Sequence, residues 1–502
     1  MAVDSYRICF RDYIPVLMIL LLITTSLPIF HPSLLCGDIT MVTHPAKILN
    51  KTGNLKSTDM LLPAQALQPN GDSIHNPFAL NYFGPILLFA AGIKIFGETD
   101  KTFFIVQTIF WCWLCFLILR RLKSAPLGLL AFGAFIIFGT FDGSTYNTPT
   151  QLPIICLYVI FWRTWESERS KKQLIFYGLI FGLGLTFRPE TIFLLVFYSA
   201  SLFLKKRKKL AGLVLCISTA ATYLALEKLR LILGGIHSSD HAFYNIGTDI
   251  LAPGWGVMNV DKILPLSEFL LNPEIRSKLV MKLIHGANRI FILRPQLVNR
   301  NDFWLLIVAL FSLFFNVKSK RLYAQLLLLF LCQALLNCLL NDVHRYYDYV
   351  FILLGIQFFE DYFPHYICSK EVIKKVSFYP VLLGLLIILI GQNIRQDWGW
   401  SNYFNKIETT YRNKLKSVVE AVSSEDFILS NNGGDLMWYG DAKKVVFAPQ
   451  TEFTMSRIIL KYPKAKIVYF TSVPQGIFEG LNPIKNYKRI EIEKDIILLS
   501  PP

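Results

Sequence analysis

The side chains of this sequence best suited to chemistry are isolated ionisable groups set beside long apolar runs. Asp38 stands in Cys36-Gly37-Asp38-Ile39-Thr40, just past the first such run. A carboxylate there, next to a flexible glycine, can act as a general base on a hydroxyl acceptor; it can equally ligate a metal or cap the helix that follows. Asp142 lies in Phe141-Asp142-Gly143-Ser144, for which an Asp-Gly turn is the plainest reading. Arg188-Pro189-Glu190 separates two apolar runs. Proline explains that break by itself and the flanking charges can pair across it, yet a guanidinium is also well matched to a phosphate. His344-Arg345-Tyr346-Tyr347-Asp348, with Asn341 and Asp342 just before it, gathers donors able to clamp a phosphate. The same tyrosines suit an interfacial anchor, and Asp342 and Asp348 can neutralise Arg345.

Other groupings carry less. His237, Asp240 and His241 offer ligands for a divalent metal, at loose spacing and in a Ser-Ser context. Cys112-x-x-Cys115 has redox or zinc spacing but falls inside an apolar run, and Gly182-Leu183-Gly184 lacks the strand and acidic partner of a dinucleotide loop. Asn50-Lys51-Thr52 is a glycosylation acceptor pattern, relevant only in a secretory-pathway host.

What must position these groups is set by composition. The chain has 502 residues, 53% hydrophobic and only 17% charged, with a mean hydropathy of +0.43. Soluble domains carry about a quarter charged residues, so an ordinary soluble enzyme is excluded, as are disorder and a disulfide scaffold. Apolar runs of membrane-crossing or near-crossing length are expected at Tyr13–Phe30, Phe103–Leu119, Pro126–Thr140, Pro149–Trp162, Gln173–Phe187, Thr191–Leu204, Leu210–Leu226, Phe303–Phe315, Leu322–Leu340, Tyr347–Phe359 and Phe378–Ile394. The first reads as a retained anchor, because no small-x-small cleavage site follows it.

The formal charge of +16 could signal nucleic acid. Its distribution argues otherwise. Arg120-Arg121-Leu122-Lys123, the stretch from Arg163 to Lys172, Lys205 to Lys209 and Lys318 to Arg321 all fall two crossings apart, so the positive-inside rule puts them together on the cytoplasmic side. No nucleic-acid partner is expected. The N-terminus is then cytoplasmic and the loops 31–102 and 227–302 are external. Leu80–Phe96 breaks the alternation if counted as a span; Asn81, Gly84, Pro85 and Lys94 fit a juxtamembrane or re-entrant helix better. Leu279–Leu293, interrupted by Lys282, His285 and Arg289, reads the same way.

The tail is different material. Strand-like runs at Phe427–Ser430, Lys444–Phe447, Ala465–Phe470 and Asp495–Leu499 follow a helix expected at Asn405–Val422, which points to a small α/β domain with a partly parallel sheet. The expected fold is therefore an α-helical polytopic membrane protein of about eleven spans plus juxtamembrane helices over residues 1–394, with a C-terminal α/β extramembrane domain over 395–502.

The order of these features resembles a family. A retained first span with an acid at its outer end is followed by a long external loop. Asn76-Pro77-Phe78-Ala79-Leu80-Asn81-Tyr82-Phe83-Gly84-Pro85 then runs into an apolar helix ending Ile95-Phe96-Gly97. Asp142, the Gly182–Pro189 span end and Arg345-Tyr346 follow, and the tail carries Met437-Trp438-Tyr439-Gly440 and Val446-Phe447-Ala448-Pro449. The chain is similar to the GT-C glycosyltransferases, polytopic enzymes related to protein O-mannosyltransferases and the lipid A aminoarabinose transferase. The resemblance implies transfer of a sugar from a polyprenyl- or dolichyl-phosphate carrier to a glycan, lipid or protein acceptor at the external membrane face, with inversion. Asp38 would be the acceptor-activating base. Arg345, Arg188, His344 and Tyr346 would hold the donor phosphate, and Asp142, Glu190 and His75 would line the cavity. Where the aminoarabinose branch has Lys-Pro-Pro, this chain has His75-Asn76-Pro77. The superfamily contains metal-dependent and metal-independent members, so a divalent metal stays open. The resemblance also implies a bacterial inner (plasma) membrane, with the tail on its periplasmic side.

Two other classes fit a polytopic chain. A transporter or flippase is expected to show paired halves and ionisable residues inside its spans, whereas here acids and bases collect at one face. An O-antigen polymerase or ligase usually keeps its chemistry in one long late loop, whereas here the first loop holds the candidate base.

Overall fold

A computed structural model of the chain describes residues 37–55, 59–61, 63–67, 83–122, 131, 150–164, 170–204, 208–234, 271–288, 304–314, 319–339, 347–362, 408–422, 427–442, 444–449, 451–471 and 482–502. Apart from Ala131, the runs expected to span at Tyr13–Phe30, Pro126–Thr140 and Phe378–Ile394 lie outside these residues. The first half of the chain contributes helix α1 (Gly37–Thr52), strand β1 (Asp59–Leu61) and helices α2 (Pro63–Ala66), α3 (Phe83–Phe96), α4 (Asp100–Leu122), α5 (Gln151–Phe161), α6 (Lys171–Phe187), α7 (Thr191–Phe203) and α8 (Lys209–Ile232). The second half adds α9 (Pro273–Asn288), α10 (Trp304–Phe314), α11 (Lys320–Leu339), α12 (Asp348–Tyr362) and α13 (Thr409–Val422). The tail follows with β2 (Ile428–Ser430), α14 (Gly433–Trp438), β3 (Lys444–Phe447), α15 (Glu452–Lys461), β4 (Lys466–Phe470), β5 (Lys488–Glu493) and β6 (Ile496–Ser500).

These elements gather into two compact units. One comprises Met1–Pro32, Phe104–Ala220 and Gly286–Tyr403; the other comprises Ser33–Phe103, Ala221–His285 and Phe404–Pro502. The second unit draws on both sides of the 394/395 boundary expected from the sequence, because the first long loop and the tail fold together.

The helical unit is built from helices apolar on more than one side. On α6, Leu174, Phe181 and Gly184 are buried while Ile175, Phe176, Leu179 and Leu183 are exposed. Such a helix suits a setting that is apolar on both sides. Ser170 starts α6 with a capping box, its hydroxyl accepting from the Gln173 N–H while the Gln173 side chain accepts from the Ser170 N–H. Arg188, extended, and Pro189 end it, and α7 starts at once. Gly184 is required where the helices meet, since a Cβ there would lie 2.9 Å from both Leu157 Cδ2 and Thr191 Cγ2. Phe161, Tyr177, Phe181 and Tyr198 interlock edge-to-face at this junction. Among the described residues, three helices are long and apolar enough to cross a membrane: Asp100–Leu122, Lys209–Ile232 and the Lys320–Cys338 stretch of α11. Shorter apolar helices accompany them, including α3, α5 and α7.

One end of this unit collects basic residues. Arg121, in the last turn of α4, and Arg163, just past α5, both reach Glu360 near the end of α12, at 3.3 and 3.1 Å. Ser319, ahead of α11, donates to Asp361 at 2.7 Å. Three of the four segments expected on a single side of the membrane therefore share one end of the helices.

The second unit is organised by a six-stranded sheet in the order β1-β3-β2-β4-β6-β5. β1, β3, β2 and β4 run parallel, whereas β6 is antiparallel to both β4 and β5. β2–α14–β3 and β3–α15–β4 are crossovers to opposite sides of β2, so the parallel part is doubly wound. β2, β3, β4 and β6 fall on the runs expected to be strands. β5 was not expected, and β1, three residues from the first loop, occupies the far edge. Leu429, Val446, Met455, Ile458, Ile467 and Leu499 fill the core with Ala66 of α2.

Candidate functional site

Among the described residues, each unit holds a buried polar cluster. In the helical unit it is centred on Arg188 and Glu190. The Arg188 Nη2 donates to Glu190 Oε1 at 2.6 Å and its Nε to Oε2 at 3.1 Å, a bidentate fork, while Nη1 donates to Thr150 Oγ1 at 3.2 Å. Arg188 is 6% exposed and Glu190 3%. Pro189 makes this possible: it stops α6, and the tight turn into α7 puts the two side chains on the same side of the break. The Tyr158 hydroxyl donates to the Glu190 carbonyl at 2.6 Å, and its ring stacks on Tyr349 at 4.2 Å. Tyr349 donates to Gln333, which donates to Asn337, at 2.7 and 2.8 Å. A polar thread thus joins α5, the start of α7, α11 and α12 in an otherwise apolar interior, ending at Asn337, whose buried Nδ2 has no partner among the described residues. The pairing of Arg188 with Glu190, one of the two readings open from the sequence, is the one observed.

In the second unit the cluster braces α1. Asp38 falls in the first turn of this helix. Two and a half turns on, Lys47 is 1% exposed and salt-bridges Glu98 and Asp441, and it also donates to the Trp438 carbonyl at 3.3 Å. Its ammonium lies 5.5 Å from the centre of the Trp438 ring. Asp441 adopts a left-handed backbone with φ of 59°, a conformation Asp tolerates better than most residues. Partial burial alone would raise the Asp441 carboxyl, but the hydrogen bond and charge of Lys47 hold it below its ordinary value. One turn further along α1, Asn50 donates to the Ala90 carbonyl of α3 at 2.7 Å.

The same helix α14 ends in a second clamp. Trp438 Nε1 donates to Asp100 Oδ1 at 2.9 Å and the Tyr439 hydroxyl to Oδ2 at 2.7 Å. Glu408 accepts from the Asp100 N–H at 3.1 Å and from Arg412 at 2.8 Å. Arg412 in turn donates to the Trp438 carbonyl at 3.1 Å and lies over the Trp438 and Tyr439 rings. At the start of α14, Asp435 accepts from Tyr411 at 2.9 Å and from Asn432 at 2.8 Å. Burial pushes its carboxyl up to about 6, against the lowering effect of those hydrogen bonds. His44, packed on the same side of α1 as Lys47, is pushed down to about 3 by burial and then by the Lys47 charge, so it is neutral.

Of the residues expected at a site, Arg188 and Glu190 are described in full and stand together, and Asp38 is fixed as a helix position. His75, Asp142, His237, Asp240, His241, His344, Arg345 and Tyr346 lie outside the described residues. No group of three or more His, Cys, Asp or Glu residues able to hold a metal occurs among the described residues. Sequence reasoning passed over Lys47, Asp100, Glu408 and Arg412. One signal was legible: Trp438 and Tyr439, adjacent polar aromatics in the tail, need acceptors once buried.

No protein-family profile matches the chain, and no curated protein does. Two solved structures are similar over nearly its whole length. ArnT from Cupriavidus metallidurans in the apo state is 10% identical, covering 98% of this chain and 97% of that one at a TM-score of 0.40. The same protein bound to undecaprenyl phosphate is 9% identical at the same coverage and TM-score.

Proposed function

We propose that this chain is an integral membrane glycosyltransferase that moves a sugar from a polyprenyl-phosphate carrier to a glycan, lipid or protein acceptor at the external membrane face, with inversion. The observation that carries the reading is the bracing of α1. A general base acts only when held within a fraction of an ångström of its proton. The helix whose first turn contains Asp38 is tied by Lys47 to α14 and by Asn50 to α3. That position follows the first apolar run, where a membrane-borne donor meets an acceptor from the aqueous side. The order of sequence motifs supports the same reading.

In this reading Asp38 takes the proton from the acceptor hydroxyl as its oxygen attacks the anomeric carbon. The new glycosidic bond forms on the face opposite the carrier, the bond from that carbon to the phosphate oxygen breaks, and the carrier phosphate leaves with the electron pair. Arg345, with His344 and Tyr346, stabilises the charge that develops on the leaving phosphate. Arg188 is already engaged by Glu190, so its part is to fix the turn rather than to make the principal phosphate contact. Asp142, Glu190 and His75 line the cavity, and His237, Asp240 and His241 are the candidates if a divalent metal takes part. The basic segments at one end of the helices, read by the positive-inside rule, support a tail outside and an N-terminus in the cytoplasm.

The test is transfer of labelled sugar from a panel of polyprenyl-phosphate sugars in membranes containing the full chain. Wild type should transfer at least one of them. Asp38→Asn should abolish turnover, and Arg345→Ala should lower it chiefly through donor KM. Full activity in Asp38→Asn would remove the base, and inactivity of wild type toward every donor, with proton- or ion-coupled export instead, would favour a transporter.

A further inference from the structure

One face of α15 carries exposed apolar side chains beside cations. Thr454, Met455 and Ile458 of this helix are buried against the sheet. The opposite arc presents Phe453, 66% exposed, and Leu460, 84% exposed, seven residues apart and therefore on one face. Arg457 lies between them, its guanidinium 5.9 Å from the centre of the Phe453 ring. Among the described residues the only other large apolar side chains more than 80% exposed are Leu204 and Phe314, at the ends of the apolar helices α7 and α10. Leu460 thus shares its exposure with residues that flank apolar helices, although it sits on an α/β sheet domain.

Charge completes the pattern. Arg457, Lys461, Lys464 and Lys466 fall between residues 453 and 478, where no acid falls; Glu452, in the first turn, is the one acid of α15. Lys461 and Lys466 are turned away, donating to the Ala66 and Val422 carbonyls at 2.6 and 2.8 Å, which leaves Arg457 and Lys464 as the cations of the exposed face. An exposed aromatic and an exposed leucine rimmed by cations on one helical face is the chemistry of an interfacial helix, apolar groups dipping among acyl chains and cations meeting lipid phosphates. The chain carries helices long enough to cross a membrane, so a bilayer is a partner the protein meets.

We propose that the α15 face, through Phe453, Leu460, Arg457 and Lys464, rests on the surface of a bilayer containing anionic phospholipid. This contact does not depend on the glycosyltransferase reading. It is tested on the full chain in proteoliposomes of phosphatidylcholine with phosphatidylglycerol, with a photoreactive benzophenone amino acid placed in turn at 453, 460 and the exposed control position 491. Phospholipid adducts detected by mass spectrometry are expected at 453 and 460 and not at 491. Arg457→Gln combined with Lys464→Gln should cut the adducts several-fold, as should vesicles of phosphatidylcholine alone. Absence of adducts at 453 and 460, equal labelling at 491, indifference to phosphatidylglycerol, or cross-linking of 453 to a second copy of the chain would each overturn the proposal.

Discussion

The indole N–H of Trp438 donates to Asp100 at 2.9 Å across 338 residues of sequence. Asp100 is the first residue of a helix of membrane-crossing length, and Trp438 the last of a six-residue helix in the tail. Trp438→Phe keeps an aromatic ring but removes this donor from a buried carboxyl group and leaves part of the indole's volume unfilled. It should cost about 1.5–3 kcal/mol of stability. Thermal unfolding of the purified full chain would read this as a lowered midpoint, and an unchanged midpoint would mean that the bond contributes nothing net.

Lys47 gives a sharper contrast. Lys47→Met removes the cation shared by Glu98 and Asp441, which keep only Lys51 and Lys416 as partners, and should destabilise by about 1–2 kcal/mol. Asp441→Asn added to that variant should recover part of the loss, because one of the two facing charges disappears and Asn accepts the same left-handed backbone. A double variant less stable than Lys47→Met alone would argue against charge as the cause.

Arg188→Ala strands Glu190 at 3% exposure, which should cost about 3–5 kcal/mol. Replacing both residues, Arg188→Met with Glu190→Leu, should restore most of that stability. If the double variant is also inactive in sugar transfer while folded, the pair has a role beyond holding the turn.

Asp435 makes a prediction in pH. Its carboxyl titrates near 6 in the folded chain against an ordinary 3.8. An acid shifted upward favours the folded state in its protonated form, so its stabilising contribution is complete below 3.8 and is lost as pH rises through about 6. Asp435→Asn should therefore gain stability relative to wild type at pH 8 and gain little or nothing at pH 4. Equal differences at the two pH values would show that the carboxyl does not ionise differently in the two states.

Orientation is open to a direct assay. Topology reporters fused after residues 98, 207 and 450 should report outside, inside and outside. An inside signal after 98 would make Leu80–Phe96 a crossing and reverse the parity on which the external site depends.

How far the sequence could be read depended on the range of the interaction. The strands β2, β3, β4 and β6 were legible because a run of β-branched residues between turn signals is local information. The Arg188–Glu190 pair was legible as one of two alternatives for the same reason, the partners being two residues apart. The brace was not. Lys47 and Asp100 look like ordinary loop charges until Trp438 and Asp441 arrive beside them, and nothing in the local pattern of either segment encodes a partner several hundred residues away. β1 escaped notice because three residues carry no alternation, and its place in the sheet comes from its neighbour β3.

That late partner has a consequence for synthesis. Lys47 and Asp441 are 394 residues apart, which at ordinary elongation rates is a delay of about 20–80 s. During it the first loop presents an unpaired strand, a lysine with only one of its two counter-ions and an open edge, while every intervening helix must still be inserted. A chain cut short before its tail would leave that edge permanently bare, so truncated products should be recognised and degraded rather than accumulate as shorter versions of the protein.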